Sequence, residues 1–430
     1  MATGSALVLT TQKQSGLAIV RSLGRQGVPV VAGGPSAPTL GMLSRFSDGR
    51  YVHPDPEAGA QHFLDDLLAY LDDADHEYVF GPTDWMTSLL AKHRTEIEST
   101  GTRPAVEDWE TFEQVFDKGR LFERLTDVDV PCPETHAPET VAEVESIAPD
   151  LSYPVVVKPR SKTYWDESGQ YATYLVDDRN YAASPTELRE TYESLLTDEP
   201  KLREWPPIVQ EYVPGETTTT VVLADDGEVR AHFQERRLRT VPPSGGSSAL
   251  LSVVDDRRMY RYAERVIAAF DWTGPAQVEF MERPDGEYVL IEVNGRYWGS
   301  LPFAINCGVD VPWLHYRQLR GESVRHDGDY RTDVIQRRTR QDLEWLGHQL
   351  AEHNYRALGP FLADFVRADH TFVSLRDPLP TLWTLRQVPG TLLNVEPSAL
   401  DTSDATAGEE RTRRSPVGDE QKNANAGEPG

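Results

Sequence analysis

An α/β protein with more than one lobe is the class that this 430-residue sequence predicts, on three observations. Strand-like and helix-like patterns alternate through the first hundred residues, the signature of an open, doubly wound parallel sheet. A Pro-rich connection, VPCPETHAP at 130–138, separates that opening from a second unit. The second unit is rich in strand patterns, two of them flanking an Asp-Gly turn.

The elements follow in order. Ala6 to Thr10 is an apolar run ending in a polar turn, a helical pattern passes through Leu17, Val20 and Leu23, and Gly27 stops it before Val28, Val30 and Val31 start another strand. The turn TQKQSG is not a G-x-G-x-x-G fingerprint, so a dinucleotide site is not expected there. Tyr78 to Phe80 is a further strand, followed by Gly81-Pro82-Thr83-Asp84 and a helix expected from Trp85 to about Glu98. Asp84 stands where open α/β sheets collect ligand-binding groups, or else caps the helix. Past the Pro-rich connection, Val155 to Lys158, Ile208 to Val213, Thr217 to Leu223 and Val229 to Glu235 read as strands. Met259, Ala263, Val266, Ile267 and Phe270 share one helical face. Ala276 to Met281 and Glu287 to Val293 form a hairpin. Residues 326–397 read as a helical extension, and 398–430 as an acidic tail too poor in apolar residues to offset its ordering entropy.

Composition narrows the function. Against 69 Asp and Glu stand 43 Lys and Arg, a net charge of −26, which excludes nucleic acid as the main partner. Only 7 of the basic residues are lysine. An acidic excess this large suits a high-salt cytoplasm, where screening removes self-repulsion. Two distant cysteines exclude a disulfide framework or a cysteine zinc site and favour a reducing compartment. No apolar run is long enough to cross a membrane, and the N-terminus lacks the pattern of a signal peptide.

Four constellations carry chemistry. Lys118 opens a helical stretch, FDKGRLFERL. Lys158 ends the apolar strand PVVVK, where a cation is costly unless an anion pairs with it. VQEYVPGE at 209–216 runs a strand into a Pro-Gly turn and a carboxylate, a hinge able to meet an adenine edge with backbone groups and a ribose with Glu216. The fourth is QVEF at 277–280 with IEVNGR at 291–296. The hairpin sets Glu279 across from the neighbourhood of Glu292, and Glu292, Asn294 and Arg296 alternate onto one face. Two carboxylates and an amide oxygen are hard ligands that Mg²⁺ accepts alongside phosphate oxygens. Val278, Phe280, Ile291 and Val293 are expected to form the apolar opposite face.

Taken together, VVVKPR, VQEYVPGE, QVEF and IEVNGRYWGS resemble the ATP-grasp enzymes, in their carboxylate-amine ligase branch, over about residues 5–325. The resemblance implies an N-terminal domain at 1–115 and an ATP-grasp domain at 116–325, with a middle lobe about 140–215 and a C-terminal lobe about 216–325. It implies that Lys118 and Lys158 hold ATP phosphates. Glu211, Tyr212 and Val213 become the adenine hinge and Glu216 the ribose ligand. Glu279, Glu292 and Asn294 become ligands of Mg²⁺ or Mn²⁺, and Arg296 stabilises acyl-phosphate formation. Arg237, in QERRLRTVPPSGGSS at 234–248, is a substrate-facing anion contact, while Arg236, Arg237 and Arg239 read equally well as solvated strand-end charges. Trp298 and Ser300 shape an acceptor pocket, or Trp298 is core. The lid loop SKTYWDESGQ at 161–170 has one glycine where the family has several, so Lys162 or hydroxyls are expected to substitute.

The implied reaction joins a small carboxylate to an amine at the expense of ATP, giving ADP and phosphate, in a cytoplasmic and halophilic, haloarchaeal setting. A homodimer is the default assembly, with no nucleic-acid or membrane partner. The rivals are an ATP-grasp kinase or carboxylase-like enzyme and a nucleotide-binding regulatory protein without turnover.

Overall fold

The computed structural model describes residues 4–165, 171–174, 176–242, 246–371 and 373–393. The expected tail at 398–430 and residues 166–170 of the lid loop lie outside the described residues.

Five short strands open the chain: β1 (Ala6–Val8), β2 (Val30–Gly34), β3 (Gly49–Val52), β4 (Tyr78–Phe80) and β5 (Arg103–Pro104). All pair in parallel in the order β3-β2-β1-β4-β5, so the strand order reverses between β1 and β4. The helix expected from Trp85 to Glu98 is broken at His93 into Asp84–Lys92 and Arg94–Ser99. Asp84 does not cap the first of these: it is the first helical residue, with Thr83 flanking it.

A four-stranded antiparallel sheet follows, from β6 (Thr135–His136), β7 (Val155–Lys158), β10 (Tyr181–Ala182) and β11 (Ile208–Glu211), with the ribbon β8 (Thr163–Trp165) and β9 (Tyr171–Thr173) standing beside it. Its core of Val144, Val155, Val157, Leu188, Tyr192, Leu195 and Val209 is separate from every other apolar cluster among the described residues.

The third sheet has seven strands: β12 (Glu216–Asp225), β13 (Glu228–Val241), β14 (Ser247–Val253), β15 (Gly274–Glu282), β16 (Tyr288–Asn294), β17 (Ile335–Arg337) and β18 (Asp369–His370), in the order β16-β15-β12-β13-β14-β17-β18. Alternation divides it. Val222, Ala224, Val278, Phe280, Leu290 and Val293 pack under the helices Trp109–Phe116, Lys118–Arg124 and Arg257–Ala269. Val221, Leu223, Ala231, Phe233 and Leu251 on the other side join Val8, Ile19, Leu23, Tyr78 and Phe80 in one continuous core, so the N-terminal sheet and the seven-stranded sheet are fused through apolar contact.

The extension expected to be helical at 326–397 contains helices at Thr339–Ala351, Leu358–Arg367 and Pro378–Leu393, but also β17 and β18, which lengthen the third sheet. Strands of two or three residues carry too little alternation to be read in a sequence. Buried Asp377 ties this extension to the N-terminal sheet: its carboxylate accepts from Arg21 Nε at 2.7 Å, Ser44 Oγ at 2.8 Å and the Arg45 amide at 2.9 Å. Asp377→Ala strands the Arg21 guanidinium in a buried place and is expected to cost about 3 kcal/mol of stability in urea unfolding.

Candidate functional site

One face of the third sheet brings buried polar side chains together where β15 and β16 pair. Glu279 on β15 pairs with Glu292 on β16, and Gln277 with Asn294. Directly opposed residues share a face, so Gln277, Glu279, Glu292 and Asn294 stand together. A β-bulge makes this possible. Register slips between Glu279 and Phe280, whose partner is Leu290, and Ile291 is left as the extra residue. Ile291 therefore does not join the Val278–Phe280–Val293 face as the plain alternation suggested; it packs with Val213, Met281 and Val289. The bulge thus sets a small apolar floor beside the two carboxylates.

Both carboxylates are buried and charge-matched. Glu292 lies 2.7 Å from Lys118 Nζ and 3.6 Å from Lys162 Nζ. Glu279 accepts from Arg237 at 2.9 Å. Asn294 Nδ2 reaches Glu279 Oε1 at 3.1 Å and Glu292 Oε2 at 3.4 Å, and its Oδ1 accepts from Arg296 at 3.2 Å. Arg296 also donates to the Tyr297 carbonyl at 2.7 Å and, through Nε, to Asp84 Oδ1 at 2.5 Å. Burial pushes the Glu279 carboxyl up, and the neighbouring Glu292 charge adds to this against Arg237. Burial would push Glu292 up as well, but Lys118 and Lys162 outweigh it and hold this carboxyl well below the usual range. Burial lowers the Lys162 ammonium.

Lys118 owes its place to Asp117, whose side chain accepts from the Gly119 and Arg120 amides at the helix start, while the Lys118 amide donates to the Arg160 carbonyl at 2.8 Å. Lys158, also buried, donates to Gln210 Oε1 at 3.0 Å inside the four-stranded sheet. The hinge segment joins that sheet to the third. Glu211 accepts from Arg283 at 3.1 Å and, more weakly, from the Glu134 amide; the Tyr212 amide bonds to Pro154 O; and Val213 is buried in the apolar floor. Gly215 is needed sterically, since a Cβ there would lie 2.4 Å from the Glu282 carbonyl oxygen. Glu216 is exposed at the start of β12.

Of the three neighbouring arginines only Arg237 reaches the carboxylates. Arg236 pairs with Glu282, and Arg239 with Asp342 and Asp364 over the Trp345 ring. Trp298 is core, while Ser300 donates to buried Glu235. Glu235 and the Asp84–Arg296 contact escaped the sequence reading. Glu235 lies two residues before Arg237 on one strand, so period-2 spacing signals it; nothing local links Asp84 to a partner 212 residues away.

Among the described residues no three His, Cys, Asp or Glu side chains cluster to hold a metal, and no helix is long and apolar enough to cross a membrane. The pair Glu279 and Glu292, bridged by the Asn294 amide, is nevertheless a hard-oxygen donor set of the kind Mg²⁺ takes when ligand oxygens complete its shell.

Comparison with known proteins agrees with this architecture. Residues 204–342 match the family described as ATP-grasp in the biosynthetic pathway with Ter operon. The carbamoyl phosphate synthase large chain of Rubrobacter xylanophilus is 25% identical over 249 residues, 54% of this chain and 21% of that one. The D-aspartate ligase of Enterococcus faecium is 23% identical over 242 residues, 53% of this chain and 55% of that protein. The match thus spans a fifth of the first relative and about half of the second. Among solved structures, the biotin carboxylase domain of Hydrogenobacter thermophilus 2-oxoglutarate carboxylase, bound to MgADP, ADP and bicarbonate, superposes with a TM-score of 0.61 at 18% identity, covering 78% of this chain and 74% of that one. The chain therefore has the ATP-grasp fold, preceded by a doubly wound N-terminal sheet.

Proposed function

We propose that this protein is an ATP-dependent carboxylate–amine ligase that forms an amide through an acyl phosphate, releasing ADP and phosphate. The observation that carries the reading is the convergence of Lys118, Lys162, Arg237 and Arg296 on Glu279, Glu292 and Asn294 at one end of one sheet face. Phosphoryl transfer asks a protein mainly for positioning and charge neutralisation, and this cluster supplies both without a Ser, Cys or His nucleophile. The D-aspartate ligase among the relatives supports carbon–nitrogen bond formation.

In this reading the adenine lies on the floor of Val213, Met281, Val289 and Ile291 and meets the backbone of the Glu211–Val213 hinge, with Glu216 near the ribose. Lys118, Lys158 and Lys162 take the phosphates. Glu279, Glu292 and Asn294 hold Mg²⁺ or Mn²⁺, the amide turning its oxygen to the metal, which neutralises phosphate charge when bound. Arg296, braced by Asp84, lies against the charge that develops as the carboxylate oxygen accepts the phosphoryl group. Arg237 steadies Glu279 and the acid substrate.

The test is ADP release in molar KCl, as the −26 charge suggests for a halophilic protein, against pooled carboxylic acids with and without pooled amines and in a separate arm with bicarbonate. Amine-dependent ADP release with an amide in the products is expected. Release driven by bicarbonate alone, or a phosphorylated product without amide, would replace the ligase with a carboxylase-like enzyme or a kinase.

A further inference from the structure

Glu235 has no role in the assignments above, yet it is only 2% exposed and lies within reach of them. On β12, Thr219 pairs with both Glu235 of β13 and Glu279 of β15. Glu235 and Glu279 are thus on the same face two strands apart, about 10 Å between backbones. One oxygen of Glu235 accepts from Ser300; the other, Oε2, is buried with no hydrogen-bond partner. Gln277, one pair along on the same face, likewise buries its amide oxygen without a partner. A buried acceptor left without a donor costs about 1–3 kcal/mol, so each of these two calls for a donor from a water or a ligand. Two acceptors without donors ask for a ligand rich in N–H. Of the cations nearby, Arg237 donates through Nη2 to Glu279, and Arg338 donates through Nε to Gln14 Oε1 and through Nη1 to the Ser248 carbonyl.

On this geometry, and resting on the ligase reading, we propose that Glu235 receives the amine substrate as a primary ammonium and takes the proton it must lose before attack. The ammonium passes one proton to Glu235 Oε2. The freed nitrogen lone pair attacks the acyl-phosphate carbonyl carbon, the C–N bond forms, and the C–O bond to phosphate breaks. Phosphate leaves with that electron pair and takes the second nitrogen proton, and Glu235 later returns its own to water. Burial, helped by the Glu279 charge and opposed by Ser300 and Arg237, pushes the Glu235 carboxyl up to about 7, where it can both take and release a proton near neutrality.

The experiment compares two nucleophiles on the full chain with MgATP and the twenty proteinogenic amino acids as pooled carboxylates. The amino acids' own ammonium groups are charged nucleophiles, while hydroxylamine is largely uncharged near neutral pH and needs no base. Glu235→Gln is expected to lower peptide formation by about a hundredfold while hydroxamate formation stays within about fivefold of wild type. Ser300→Ala, which frees the carboxylate to turn, should lower peptide formation selectively by about tenfold, and it decides the matter if Glu235→Gln melts early. Parallel loss of both products would make Glu235 structural, and loss of neither would leave it a water site; both overturn the proposal. Wild-type protein that gives neither ADP nor hydroxamate with this pool, nor with the acids of the wider screen, removes the ligase reading and this inference with it.

Discussion

Glu292→Ala is expected to abolish ADP formation, by about a thousandfold or more, while ATP still binds. The reason lies in what Glu292 touches. It neutralises Lys118 at 2.7 Å and Lys162 at 3.6 Å, and it supplies half of the paired carboxylates. Without it those two ammonium groups are released to the nucleotide phosphates, so the dissociation constant for ATP should change little. What is lost is the arrangement that shares the charge of the transferring group. Single-turnover ADP formation beside calorimetric ATP binding separates the two quantities. Survival of turnover within about tenfold would move the phosphoryl-transfer centre away from this hairpin. Glu292→Gln keeps the volume of the side chain, so a matching loss there assigns the effect to charge rather than to packing.

Arg296→Ala is the second large effect, expected at about a hundred- to a thousandfold in kcat with little change in ATP affinity. One guanidinium binds Asp84 of the N-terminal unit, Asn294 of β16 and the Tyr297 carbonyl at once. Arg296→Lys keeps the charge but not the planar fork, and so should recover only part of the rate. Asp84→Asn should lower kcat less, by loosening the fork. The double variant should fall short of the summed effects, because the two side chains act through one contact. Additive losses in that cycle would show that Asp84 does not position Arg296.

The legible parts of the fold and site are those fixed by local rules. The Pro-Asp-Gly turn sets the pairing of Phe280 with Leu290 and so brings Glu279 to the neighbourhood of Glu292, but the bulge is what puts the two directly opposite. Lys118 at a helix start and Lys158 at a strand end follow from sequence pattern as well. The bulge at Ile291 was not legible, because one inserted residue changes no residue type, only which way the next ones face. Spacing puts Glu235 on the face of Arg237, but spacing alone does not tell a buried glutamate on a strand from a solvated one. Arg236, Arg237 and Arg239 look alike in sequence, and only register decides that the middle one turns to the site. β17 and β18 were too short to show a period.

The four-stranded sheet has an apolar core of its own, whereas the first and third sheets share theirs. Ionic and hydrogen-bonded links such as Arg283–Glu211 and Lys162–Glu292, with Val213 as an apolar pivot, join it to the third sheet. Swinging this lobe outward therefore exposes little hydrocarbon to water, and its free-energy cost is mostly that of separating charges. That cost falls as ions screen the pairs. For a chain with a charge of −26, salt then acts on two levels: it quiets the repulsion of the whole surface, and it weakens the ionic clasp between the two sheets that, in the proposed ligase, would lie over the nucleotide.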